Sequence, residues 1–134
     1  MRRKLKRTRR RRPRRNIGKY TSNKMGMTFT HRSGWELSYF KYLEDNTDVV
    51  KYYSEVIRIP YVSNLKTGRL RTYIPDLLVE WSDGRKELIE IKPLRRVTNL
   101  KNIKKFAAAS AWCAENGVKF VVITEKDLKS LKLI

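Results

Sequence analysis

Apolar residues first recur regularly near Thr28, and from Ser33 onward they fall at helical spacing. Ser33 reads as a cap, Glu36 stands three residues on as in a capping box, and Trp35, Tyr39, Tyr42 and Leu43 share one side; together they predict a helix that ends before Asn46. Residues 55–62 read as a strand, and Asn64-Leu65-Lys66-Thr67-Gly68 supplies the turn into a second strand over residues 70–81. A third strand is predicted over residues 86–92. Thr98 caps a second helix ending near Asn116, with Leu100, Ile103, Phe106, Ala107, Ser110 and Ala111 on its apolar face and Gly117 just past its end. The run 118–123 reads as a buried strand, and Thr124-Glu125-Lys126-Asp127 caps a short final helix. The predicted order is αβββαβ: an α/β domain whose mixed central sheet is flanked by helices.

Between the second and third strands, Ser82-Asp83-Gly84 fits a three-residue hairpin loop with glycine in the left-handed position. Such a loop sets Trp81 opposite Arg85, and antiparallel pairing then carries Asp76 directly across from Glu90 on one sheet face. Lys92 projects from the same face, about 7 Å farther along the strand. Leu77, Val79, Ile89 and Ile91 point to the opposite, apolar face. Two carboxylates this close repel unless a cation lies between them, and a hard divalent ion with oxygen ligands satisfies both. The Ile91 carbonyl is a candidate third oxygen, and Glu36, near the start of the first helix, a candidate further ligand. An ordinary cross-strand ion-pair ladder would arrange Asp76, Glu90 and Lys92 in the same way. Against it stand the apolar setting, Leu-Ile-Glu-Ile-Lys-Pro, and the arrival of Arg95 and Arg96 just beyond.

Charge sharpens this picture. The chain of 134 residues carries 32 Lys and Arg against 13 Asp and Glu, a net +19 that calls for a polyanionic partner. Residues 1–15 hold eleven of the bases and no acid, which leaves 21 bases and 13 acids, or +8, for the rest. Arg9, Arg10, Arg11, Arg12, Arg14 and Arg15 in this tail are candidate phosphate contacts, since arginine matches phosphate bidentately. A nuclear-localisation or chromatin-binding patch has the same composition. Residues 1–26 have almost no aliphatic content and are expected to be disordered until a partner binds, leaving residues 27–134 as the folded domain. Arg69 and Arg71 alternate on the second strand and are further candidate DNA contacts, as are Arg95 and Arg96, with Lys101, Lys104 and Lys105 on the second helix.

One cysteine, Cys113, excludes an internal disulfide, and one histidine, His31, excludes a multi-histidine metal cluster. Metal chemistry must therefore use oxygen ligands, which favours Mg²⁺ or Mn²⁺ over zinc. No apolar run follows the basic tail as in a secretion signal, and none is long enough to span a bilayer. Trp35, Trp81 and Trp112 read as core residues rather than base-stacking platforms.

Pro75-Asp76, thirteen intervening residues and then Glu90-Ile91-Lys92 resemble the PD-(D/E)xK motif of the nuclease superfamily of that name. The resemblance covers roughly residues 28–124 and implies a restriction-endonuclease-like core. Arg-Ser-Gly-Trp-Glu at 32–36, Ser-Glu-Val-Ile-Arg-Ile-Pro-Tyr at 54–61 and Arg-Thr-Tyr-Ile-Pro-Asp at 71–76 look most like phage head-completion nucleases and TnsA-like transposon endonucleases. It implies that Asp76 and Glu90 bind Mg²⁺, that Lys92 assists the attacking water and that Glu36 supports the metal site. It further implies a metal-dependent DNA endonuclease of the cytoplasm, the host's for a phage protein, or of the virion. Capsid or portal proteins and a second copy of the chain are compatible partners. A Holliday-junction-resolvase-like nuclease and a non-catalytic, DNA-binding virion assembly protein are the alternatives.

Overall fold

The computed structural model describes residues 16–134. A hairpin of β1 (Gly18–Ser22) and β2 (Met27–His31) leads into helix α1 (Gly34–Asp45). Strand β3 (Val49–Ser54) follows, then a second hairpin of β4 (Ile59–Asn64) and β5 (Arg69–Tyr73). Strands β6 (Leu77–Trp81) and β7 (Lys86–Ile91) come next, then the single turn α2 (Leu94–Val97) and the long helix α3 (Leu100–Asn116). Strand β8 (Lys119–Ile123) and helix α4 (Glu125–Ser130) end the fold.

Four strands build the central sheet in the order β3-β6-β7-β8, antiparallel except for the parallel pair β7–β8. Counting α1, these four strands and the crossover helix α3, the core is αβββαβ as expected, with the β4–β5 hairpin inserted between its first and second strands. The pattern over residues 55–81 was thus misassigned: β3 lies earlier, and the predicted strand 70–81 is two strands. Pro75 explains the break, because it cannot donate to a ladder and its fixed φ turns the chain from hairpin to sheet.

Both faces of the sheet are covered. Leu77, Val79, Ile89 and Ile91 pack beneath Tyr39, Phe40 and Leu43 of α1, as their alternation predicted. On the other face Leu88 and Leu78 pack with Tyr73, Ile59 and Tyr61 of the inserted hairpin and with Ala109 and Cys113 of α3. Helix α3 differs from expectation in rotation. Its buried side is Asn102, Ala109 and Cys113, with Phe106 and Trp112 alongside, while Leu100, Ile103, Ala107, Ser110 and Ala111 are exposed. Alanines and apolar residues occur all round this helix, so several stripes satisfy the helical period. The one that packs centres on Ala109 and Cys113, flanked by Phe106 and Trp112. Thr98 is not its cap; Asn99 takes that position.

Ordered structure begins earlier than expected. Residues 18–26 belong to the β1–β2 hairpin, although they carry almost no aliphatic side chain. Tyr20 and Met25 pack on the aromatic core instead, and the wholly buried Ser22 donates to Glu44 Oε1 at 2.6 Å. Lys24 Nζ donates to the carbonyls of Leu43, Asn46 and Val49 at 3.0, 2.8 and 2.8 Å. Aromatic packing and polar anchoring together do here what aliphatic burial was expected to do. The six tail arginines from Arg9 to Arg15 lie outside the described residues.

Candidate active site

The turn after β6 sets the geometry of the site. Trp81 N–H donates to the Arg85 carbonyl at 2.9 Å, and Gly84 takes φ 89°, the left-handed conformation foreseen for it. The register that follows pairs Leu77 with Ile89 and Leu78 with Leu88, so the next step in the same register sets Asp76 against Glu90. Ile91 N–H donates to Asp76 Oδ2 at 2.7 Å. Lys92 Nζ lies 3.7 Å from Glu90 Oε1. Asp76, Glu90 and Lys92 thus meet at one end of the sheet, at the margin of the second core.

Burial and mutual repulsion dominate the electrostatics. Desolvation, then the charge of Glu90, raises the Asp76 carboxyl well above the ordinary range, with Ile91 N–H and Lys92 opposing. Glu90 is also raised by burial, though less freely, because Tyr73, Lys92 and the Asp76 contact favour its ionised form. Tyr73 was not foreseen: its hydroxyl donates a short hydrogen bond to Glu90 Oε2, and burial beside that carboxylate drives its own pKa upward. Alternation along β5 places Tyr73 with Ile59 and Tyr61 on the hairpin's inner face, but only the tertiary packing brings that face to Glu90.

Glu36 approaches from the other layer. Ser33 caps α1 by accepting from Glu36 N–H at 3.1 Å, as expected, but the Glu36 carboxylate reaches back one residue farther than a capping box requires and accepts from Arg32 N–H at 2.9 Å. Burial, then the charge of Asp76, pushes Glu36 up to about 7. It shares a cleft of about 920 Å³ with Asp76, Glu90, Lys92, Arg95 and Arg96. Among the described residues no three Asp, Glu, His or Cys side chains are gathered as a ready ligand set. Arg32 forms a second brace, with Nε 2.6 Å from Glu55 Oε1, while Glu55 N–H donates to the Asp76 carbonyl at 3.0 Å.

Arg69 and Arg71 line a different groove, between the inserted hairpin and α3. His31 is buried, with Nδ1 2.9 Å from the Asn16 carbonyl. Cys113 is a buried thiol that burial pushes up to about 11. Trp35 and Trp81 pack against the first core and Trp112 against the second, in keeping with their reading as core residues.

Residues 46–125, which hold the whole Asp76, Glu90 and Lys92 constellation, match the family described as TnsA-like endonuclease N terminal. The chain belongs to this family. It is also 30% identical over 138 residues to the head completion nuclease of Enterobacteria phage T4, an alignment covering 87% of this chain and 90% of that protein. Membership in the TnsA-like endonuclease family makes the chain one of a nuclease family, as the motif implied. Among the described residues no helix is long and apolar enough to cross a membrane.

Proposed function

We propose that this protein is a divalent-metal-dependent DNA endonuclease in which Asp76, Glu90 and the Ile91 carbonyl hold one Mg²⁺ or Mn²⁺. The observation that carries the reading is the pair of facing carboxyls at Asp76 and the buried Glu90, brought together by the β6–β7 register with Ile91 N–H on one and Lys92 beside the other. On a strand, a residue's N–H and C=O face the same edge, so the Ile91 carbonyl lies on the side where its N–H meets Asp76. Two carboxylates and a carbonyl suit Mg²⁺, which keeps several waters and is held by few protein oxygens. When bound, such an ion lowers the pKa of a water and offsets charge on a scissile phosphate.

The chain's own groups divide the remaining work. Lys92 takes the role of orienting or deprotonating the attacking water and offsetting charge in the transition state. Tyr73 holds one oxygen of Glu90 and leaves the other turned toward Lys92. Glu36 supports the metal site from across the cleft, as a further ligand or as an acceptor for metal-bound water. Arg95 and Arg96, exposed on the same cleft, neutralise phosphates beside the cut. Similarity to a head completion nuclease supports a task at the DNA of a phage head, with capsid or portal proteins as partners and the host cytoplasm and virion as places of action.

The test is incubation of plasmid DNA with the protein and Mg²⁺, alongside Asp76→Ala and Lys92→Ala. Nicked or linear product from the parent chain and none from either variant is expected. Equal cutting by both variants would overturn the assignment. Tight, salt-sensitive binding without cleavage in Mg²⁺ or Mn²⁺ would favour a non-catalytic DNA-binding role.

A further inference from the structure

The inserted β4–β5 hairpin is not needed to complete the central sheet, yet it reaches the candidate active site. Along β5, residues 69, 71 and 73 share one face because strand side chains alternate. Tyr73 at the inner end donates to Glu90, whereas Arg71 and Arg69 line a groove whose other wall is the start of α3, with Lys101 and Lys104. No carboxylate lines this groove, and among the described residues none of the four cations is in an ion pair. Lys104 Nζ ties the two walls by donating to the Ser63 carbonyl at 2.9 Å.

Lys105 stands over the tyrosine that reaches Glu90. Its ammonium sits 5.5 Å above the Tyr73 ring, and burial together with the nearby charges of Lys101, Lys92 and Arg71 lowers its pKa. Cationic groups therefore continue from the two acids to the far end of the groove.

We propose that this groove seats the phosphate backbone of the DNA on one side of the cut, with β5 acting as a ruler from the acids outward. The inference rests on the endonuclease reading and adds where the substrate must extend. At 3.2–3.4 Å per residue, Arg71 and Arg69 stand about 7 and 13 Å beyond Tyr73. With a rise of about 3.4 Å per base step, that reach covers roughly four steps of duplex. DNA that ends sooner on that side fills the cleft but not the groove.

The experiment compares the full chain with the double variant Arg69→Gln/Lys101→Gln, using the exposed α1 change Lys41→Gln as a control for lost charge. Binding of a labelled duplex is followed by anisotropy against salt, in EDTA so that no metal-dependent cleavage intervenes. Each lost phosphate contact flattens the log–log salt slope by about 0.9, so the double variant is expected to lose about 1.8. In Mg²⁺, the double variant should show a raised KM with unchanged kcat on duplexes extending well past the cut, and parent-like values on those ending within about four base steps. A slope no flatter than that of Lys41→Gln, or a KM effect independent of arm length, would overturn the proposal. If the parent chain cuts nothing, the endonuclease reading fails while the slope still decides whether the groove binds DNA.

Discussion

Glu90 has two carboxylate oxygens, and Tyr73 occupies one of them while Lys92 lies 3.7 Å from the other. Removing the phenol takes the donor from the buried Oε2, and hydrogen bonds to charged groups are each worth about 1.5–3 kcal/mol. Tyr73→Phe is therefore expected to lower the unfolding free energy of the metal-free protein by about that amount. Urea titration reads it directly, and a midpoint equal to the parent's would mean that Glu90 finds another donor. At this scale the acids were legible because one glycine at position 84 fixes a pairing that carries through to Asp76 and Glu90. Tyr73 was not, because it comes from a hairpin outside the central sheet and nothing in local spacing links it to Glu90.

Among the elements, the β1–β2 hairpin has the most distinctive attachment. Burial raises the Glu44 carboxyl, but donation from Ser22, the Lys24 N–H and Tyr52, with the Lys24 charge, outweighs it and holds the group below the ordinary range. A carboxylate depressed by folding adds stability above its unfolded pKa of about 4.3, and that contribution is lost as pH falls through the lower folded value. The hairpin should therefore loosen in acid before the central sheet does, and Glu44→Gln should remove this acid-sensitive component. Amide hydrogen exchange of residues 18–31 between pH 5 and pH 3 measures it; protection lost in parent and variant at the same pH would contradict the account. Elements with explicit stop and start chemistry were readable: the Ser33 cap, the Gly117 end of α3, and the capping box of Thr124 and Asp127. The first hairpin was missed because aromatic packing and hydrogen bonds rather than aliphatic burial hold it. The rotation of α3 was missed because apolar side chains surround that helix.

For the molecule as a whole, the basic surplus is divided between the tail and the folded body. Eleven of the 32 bases precede residue 16, outside the described fold. Deleting residues 1–15 should weaken duplex binding and flatten its salt dependence while leaving the thermal midpoint unchanged. An identical slope for the truncated chain would remove the tail from the DNA-binding surface. The αβββαβ order was legible at this scale because its helices and its β6–β7 turn carry strong local signals. The insertion was not, since a strand pattern running through Pro75 reads as continuous until the fold shows it changing partners.

Asp76 follows directly from that change of partners: β5 ends at Tyr73, β6 starts at Leu77, and the acid occupies the elbow between them. The tip of the inserted arm, Asn64 to Gly68, belongs to a different sheet from the β6–β7 hairpin that aligns the two acids. On the groove reading proposed above, residues gained or lost at the tip would alter how much DNA is spanned while leaving that alignment in place. Reach and chemistry would then be separable, so the arm could change in the length of DNA it grasps while the acids keep their register.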